Sequence, residues 1–178
     1  TFNPDHPGTV IVQDAQENNG KIKAVTAIRD LSLINVEGKG MMGVPGIAAR
    51  TFGAVARSQV SVLLISQASS EQSICFTIPA DNTDKAIQSL EEEFAAELAC
   101  RDIDKIWAQR SVAIVTVVGA GMRGTPGIAG RLFGALGQTG VNIIAIAQGS
   151  SECIVSMVVE DDDTAAALCA IHELIVAK

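Results

Sequence analysis

Apolar residues recur along the chain with two different spacings, and the change between them predicts the secondary structure. Alternating or continuous apolar positions are typical of strands. Apolar residues three and four positions apart, as at Ala48, Phe52 and Val55, predict one face of a helix. Asp30 separates two apolar segments and predicts a turn. In the first half of the chain, these patterns predict helices after Pro45 and Asn82 and strands at 21–28, 31–36, 60–65, 74–78 and 103–107.

The second half of the chain repeats this order of elements. The repeated unit is strand–helix–strand–strand–helix, which is typical of an α+β fold with ferredoxin-like βαββαβ units, each an antiparallel sheet with both helices on one face. We expect the strand at 21–28 to complete the second unit, because a free sheet edge favours pairing. The first unit then spans 30–109 and the second spans 20–29 together with 110–178. The patterns that predict the second copy are strands at 112–118, 141–146 and 153–159 and helices at 127–136 and 164–176.

The repeat extends to residue identities at a constant offset of 81 positions. The glycine-rich loop at 38–48 reappears at 119–129, and Gln67 matches Gln148. The Ser-Ser-Glu turns that follow the two glutamines match as well. A chain that repeats itself at a fixed interval is built from two copies of one unit.

Composition narrows the class of protein. Of the 178 residues, 48% are hydrophobic and 19% are charged, so a well-packed core is expected. The net charge is −7 and lysine and arginine form no cluster, which argues against nucleic acid or an anionic membrane as partner. No apolar run reaches about 18 residues, so we expect no transmembrane span. The residues at 1–8 lack the pattern of a signal peptide, and we expect a cytoplasmic protein.

The cysteines and histidines predict no chemistry. Cys75, Cys100, Cys153 and Cys169 have no C-x-x-C spacing and do not match between the copies. We expect them to be small buried apolar residues in a reducing compartment, without metal or disulfide roles. The two histidines are isolated in the sequence and support no catalytic role.

The spacing of Gly38, Gly40 and Gly43 fits the dinucleotide-binding fingerprint, and the loop lies between a predicted strand and a predicted helix. Two features argue against a nicotinamide site. A doubly wound domain would continue with parallel strands, whereas the next predicted strand turns straight back. The acidic residue that binds the ribose should end that strand, where Gln67 and Gln148 stand. A small dehydrogenase stays an alternative that NADH fluorescence would test.

The glycine-rich loop also fits a purely structural turn or an anion site. The glycines could serve only a tight turn, or the helix start could bind an anion, because its first N–H groups have no partner within the helix and carry the positive end of the helix dipole. Ser61 and Asn142 begin the next strand, and Gln67 and Gln148 end it with an amide that can donate and accept. These groups favour a free amino acid. It would be bound and not converted, because no nucleophile with a base, carboxylate pair or metal cluster recurs in both copies.

Three motifs carry a resemblance to a known family. They are Gly-Met-x-Gly-x-Pro-Gly-Ile-Ala, Ile-Ser-Gln-Ala-Ser-Ser-Glu and Ile-Ala-Gln-Gly-Ser-Ser-Glu. In this order they resemble the tandem ACT domains of aspartate kinases, most of all the regulatory part of bifunctional aspartokinase–homoserine dehydrogenases. The resemblance covers nearly the whole chain, and the segment at 1–19 resembles the tail of the kinase domain or the linker that follows it. The nucleotide and aspartate motifs of the kinase are missing, so no catalytic residue is predicted.

The resemblance implies an effector site in each copy. In threonine-sensitive members, a glutamine at the positions of Gln67 and Gln148 contacts the effector, together with the isoleucine two residues earlier and the loop before the helix. The predicted effector-binding residues are therefore Gly43, Val44, Pro45, Gly46, Ile47, Ala48, Ser61, Ile65 and Gln67 in the first copy and Gly124, Thr125, Pro126, Gly127, Ile128, Ala129, Asn142, Ile146 and Gln148 in the second.

The resemblance also implies feedback control of aspartate phosphorylation in a homodimer formed through ACT–ACT pairing. Lysine-sensitive members more often have threonine or serine at the glutamine positions, and a lysine site also needs a carboxylate where Leu63 and Ile144 stand. These differences favour threonine as effector. A lysine-sensing domain and a dimerisation module without ligand stay as alternatives. No cofactor or metal is expected in this fragment, whereas the parent kinase is expected to use ATP and Mg.

Overall fold

Two 14-residue strands, β1 (Ala24–Glu37) and β4 (Lys105–Val118), pair antiparallel at the centre of the sheet. In this computed structural model, which describes residues 22–176, each long strand replaces the two short strands that the sequence predicts. The predicted turn at Asp30 is wrong, because the residue forms a bulge within β1. Asp30 and Ser111 have φ of 58° and 57°, and the β1–β4 register shifts at this point.

The other strands are β2 (Leu64–Gln67), β3 (Ser73–Pro79), β5 (Ala145–Gln148) and β6 (Ile154–Glu160), and the helices are α1 (Ile47–Arg57), α2 (Thr83–Glu93), α3 (Ala95–Cys100), α4 (Ile128–Gln138) and α5 (Thr164–Val176). The outer strands lie on both sides of the central pair, and the sheet has the order β2-β3-β1-β4-β6-β5. All pairings are antiparallel.

The two halves of each long strand have different neighbours in the sheet. The half of β1 at 31–37 pairs with β3 and with the start of β4, and the half at 24–28 pairs with the end of β4, next to β6. The predicted α+β class with antiparallel sheets is therefore confirmed. The predicted division into 30–109 and 20–29 plus 110–178 stays a prediction that these pairings support. The segment assigned to 1–19 lies outside the described residues.

The strands predicted at 60–65 and 141–146 begin later than expected. Val60 and Val141 are buried, yet their N–H groups donate to Val55 and Leu136 at the ends of α1 and α4. The apolar side chains of Val60 and Val141 therefore reflect the packing of each helix-to-strand connection against the helix that precedes it. Pairing with β3 becomes regular only from Leu64.

The core is divided between the two faces of the sheet. One cluster packs α1 and α2 against β1 and β3, and a second packs α4 and α5 against β4 and β6. A third cluster lies on the helix-free face and draws on both units. Cα atoms of the edge strands β2 and β5 approach within 8 Å of each other. The sheet therefore curves so that the helix-free sides of its two halves face each other. The third cluster consists of Leu31, Leu33, Leu64, Val112, Ile114 and Val158.

The predicted burial of the cysteines is wrong. Cys100 and Cys169 are exposed because they lie on the solvent side of α3 and α5, whereas Cys75 and Cys153 are half-buried. Burial raises the pKa of the Cys75 thiol. None of the helices within 22–176 has the length and apolar character that a membrane span requires.

Candidate functional site

The loop after β1 folds as a short 3₁₀ turn followed by two glycines in the left-handed region. Gly43 and Gly46 have φ of 72° and 91°, and no heavy atom lies within 4 Å of a Cβ placed on either. These values favour glycine because a Cβ is strained there. Gly46 precedes α1, and its carbonyl accepts the first helical hydrogen bond, from Arg50 N–H at 2.9 Å. The N–H groups at 47–49 therefore have no partner within the helix.

The loop after β4 has the same geometry. Gly124 and Gly127 have φ of 64° and 86°, and α4 begins directly after Gly127. The first helical hydrogen bond runs from Arg131 N–H to the Gly127 carbonyl at 3.0 Å. The two copies thus present equivalent helix starts.

The first two glycines of the fingerprint spacing serve a different purpose. A Cβ on Gly38 would lie 2.3 Å from the Asp102 carbonyl oxygen, and one on Gly40 would lie 2.5 Å from the Asp102 Cα. The Gly40 N–H also donates to the Asp102 carbonyl at 3.0 Å. Because these two glycines have no side chain, the connection between α3 and β4 can pack directly against the loop. This packing explains why glycine stands at both positions without a bound nucleotide.

A cavity of about 350 Å³ lies between the start of α1 and the end of β2. It contains most of the residues predicted for the first copy. Ile74 forms part of its apolar wall, and Gln67 and Glu71 supply its polar side chains. The full lining is Met41, Gly43, Val44, Pro45, Gly46, Ile47, Ala48, Gln67, Glu71 and Ile74.

The equivalent cavity in the second copy is smaller, about 140 Å³. Thr125 takes the place of Val44, and its hydroxyl donates to the Gly121 carbonyl at 3.0 Å. The lining is Met122, Thr125, Gly127, Ile128, Ala129, Gln148, Glu152 and Val155.

Several predicted residues lie outside these linings. Ser61 and Asn142 precede β2 and β5, because both strands begin later than the sequence predicts. Ile65 lies on the same face of β2 as Gln67, two residues earlier in the strand. The predicted residues that line neither cavity are Ser61, Ile65, Gly124, Pro126, Asn142 and Ile146.

Sequence reasoning missed Glu71 and Glu152. Each carboxylate accepts a hydrogen bond from a loop glycine, Gly43 N–H at 3.0 Å and Gly124 N–H at 2.8 Å. Both glutamates also line their cavities. The repeated Ser-Ser-Glu turn is the sequence feature from which a role for both glutamates could have been predicted.

Ion pairs fix the helix start of the first copy to the neighbouring helices. The Arg50 guanidinium binds Glu93 at 2.8 Å and Glu97, and it lies 4.6 Å from the centre of the Phe94 ring. The hydrogen bonds from Arg50 hold the pKa of both carboxyls below the usual range. Since α1 forms one wall of the cavity, this network holds that wall in position.

Comparisons with known proteins agree on one family. A family model described as an ACT domain matches residues 34–94 and 115–174. A bifunctional aspartokinase/homoserine dehydrogenase of Haemophilus influenzae is 40% identical over 173 residues, which cover 97% of this chain and 21% of that protein. The chain therefore spans about a fifth of that relative's length.

Solved structures agree with the sequence matches. The ligand-free regulatory subunit of aspartate kinase from Thermus thermophilus is similar with a TM-score of 0.72 and 30% identity, covering 85% of this chain and 97% of that one. Aspartokinase III of E. coli in complex with lysine and aspartate has a TM-score of 0.71 and 25% identity, covering 92% of this chain and 35% of that one.

Proposed function

Because this chain belongs to the ACT-domain family and corresponds to the regulatory region of aspartokinases, we propose that it binds threonine and transmits feedback inhibition to a parent kinase. The family membership confirms the resemblance carried by the sequence motifs. The reaction under control would be the phosphorylation of aspartate with ATP and Mg, carried out by the catalytic part of the parent in the cytoplasm.

One observation carries the proposal: each cavity joins a helix start to a glutamine side chain. The free N–H groups of the helix start suit a carboxylate. Gln67 and Gln148 can donate to and accept from a hydroxyl group. No lysine or arginine of the described residues lines either cavity, so a carboxylate would be bound by the N–H groups and the positive dipole end of the helix start.

Lysine is the second candidate effector. Glu71 and Glu152 supply a carboxylate at each cavity, which suits a side-chain ammonium. The lysine complex of E. coli aspartokinase III gives this alternative a precedent in the family. The glutamines and the absence of an acidic residue at Leu63 and Ile144 favour threonine.

Titration calorimetry on the 178-residue chain tests the proposal. We expect heat of binding with threonine. We expect the affinity of the Gln67→Ala, Gln148→Ala double variant to fall about fivefold at each site, since each site loses one hydrogen bond worth about 1 kcal/mol. Gln88→Ala is the matched control, because Gln88 is exposed on α2 and lines neither cavity. No heat with threonine, or equal binding by the double variant, would refute the assignment. Heat with lysine alone would support the second candidate.

Regulation would follow from a population shift. A ligand that binds the inhibited arrangement more tightly by about 1–3 kcal/mol shifts the equilibrium towards that arrangement roughly 5- to 150-fold. We propose a homodimer joined through ACT–ACT edges. The proposal is supported by two exposed apolar side chains at this end of the sheet. Leu63 directly precedes β2 and is 44% exposed, and Ile65 lies within β2 and is 48% exposed. Light scattering with and without threonine would separate an effector-dependent assembly from a dimerisation module without ligand.

A further inference from the structure

Glu71 and Glu152 have an unusual backbone conformation that the two copies share. Their φ values are 58° and 55°, in the left-handed region where glycine or asparagine is favoured. Both side chains are exposed at the edge of a cavity. A glutamate in this conformation is strained in both copies, and such strain is common where a side chain has a function.

The hydrogen bond to the loop uses only half of each carboxylate. Oε2 of Glu71 accepts from Gly43 N–H at 3.0 Å, and Oε2 of Glu152 accepts from Gly124 N–H at 2.8 Å. Among the described residues, neither Oε1 atom accepts a hydrogen bond, and neither glutamate forms an ion pair. Each cavity therefore has an anchored negative charge that no cationic side chain within residues 22–176 pairs with.

The cavity thus has two ends of opposite electrostatic character. The helix start attracts an anion, and the anchored carboxylate attracts a cation. A simple anion would meet repulsion from the glutamate, and a simple cation would meet the positive end of the helix dipole. A zwitterion whose two charges are separated by one carbon atom satisfies both ends.

We propose that Glu71 and Glu152 bind the α-ammonium group of the effector and so select amino acids against the corresponding hydroxy acids. This inference rests on the proposed function, because it assigns the residues that recognise the ligand in the same two cavities. It also assigns the glutamates a role other than binding a side-chain ammonium. The loop glycine holds each carboxylate in place, and the free oxygen receives the ligand.

A pair of isosteric ligands tests the role of the glutamates. In 2,3-dihydroxybutanoate, a hydroxyl replaces the ammonium of threonine, and the carboxylate and the side chain are unchanged. In calorimetry at fixed ionic strength, we expect the unaltered chain to bind threonine at least tenfold more tightly than this hydroxy acid. Equal affinities would overturn the proposal without the need for any variant.

The Glu71→Gln, Glu152→Gln variant then isolates the charge. Its amide oxygen can still accept from the glycine N–H, so the loop is retained, and the urea midpoint checks that the fold is intact. We expect threonine to bind at least tenfold more weakly and its advantage over the hydroxy acid to fall towards unity. Glu91→Gln, on the exposed side of α2, is the matched control and should keep the full preference.

The outcomes separate this inference from the proposed function. If the unaltered chain binds no amino acid, the proposed function fails. If threonine binds and the double variant keeps both its affinity and its preference, the glutamates only fix the loop and this inference alone is wrong. A lost preference with an unchanged urea midpoint would support it.

Discussion

Replacing Gly38 by alanine tests whether the first glycines of the loop are required by packing. Gly38 has φ of −177°, which any residue adopts, so the expected cost comes from contacts alone. The new Cβ would lie 2.3 Å from the Asp102 carbonyl oxygen and 2.6 Å from the Ile103 Cα. Both are backbone atoms, so the whole connection into β4 must move away.

The magnitude follows from what that movement disrupts. Forcing a methyl group into a packed region costs about 1–3 kcal/mol. The hydrogen bonds from Gly40 N–H to the Asp102 carbonyl (3.0 Å) and from Asp104 N–H to the Glu37 carbonyl (2.8 Å) would also weaken, at about 1 kcal/mol each. We expect the free energy of unfolding to fall by about 3 kcal/mol. With an m value of about 2 kcal/mol per M, the urea midpoint would fall by about 1.5 M.

The assay is urea unfolding followed by the fluorescence of Trp107, the single tryptophan of the chain, together with circular dichroism. Gly53→Ala is the matched control, because Gly53 lies within α1 and its Cβ would meet only the Arg57 Nη1 at 3.6 Å. Alanine is the better helix former, so this control should gain about 0.5–1 kcal/mol. A Gly38→Ala variant as stable as the unaltered chain would refute the packing requirement.

Two further perturbations test the bulge and the ion-pair network. Ser111→Val places a β-branched residue at φ of 57°. The free energy of unfolding should fall by about 1–2 kcal/mol, which lowers the melting temperature by about 2–8 °C. An unchanged melting temperature would contradict the role of the bulge. In the folded state, Arg50 lowers the pKa of Glu93 and Glu97 below their ordinary value of 4.5. The ion pairs therefore contribute to the free energy of unfolding above pH 4.5, and this contribution is lost as the pH falls through the folded pKa values. Arg50→Ala should therefore make the melting temperature less dependent on pH between about 5 and 3, whereas parallel curves for both proteins would refute this.

Much of the candidate site was accessible from the sequence because the repeat identifies it. Two matching loops and two matching glutamines mark positions that serve the same purpose in each copy, and both glutamines line cavities at helix starts. Glu71 and Glu152 were visible in the same repeat, but their hydrogen bonds join positions 28 residues apart. Periodicity within one element does not report such contacts.

The sequence by itself determined the duplication, the strand–helix–strand–strand–helix order within each copy and the ferredoxin-like class, because these depend on short-range periodicity and on comparison of the chain with itself. Only the tertiary structure decided that β1 and β4 run unbroken through both units, because pairing with neighbouring strands holds Asp30 and Ser111 within a bulge. It also decided the purpose of Gly38, since the Asp102 backbone that excludes a side chain there is distant in sequence. The local pattern of apolar and polar residues indicates which side chains favour burial. The tertiary fold alone determines which distant backbone segments pack against them.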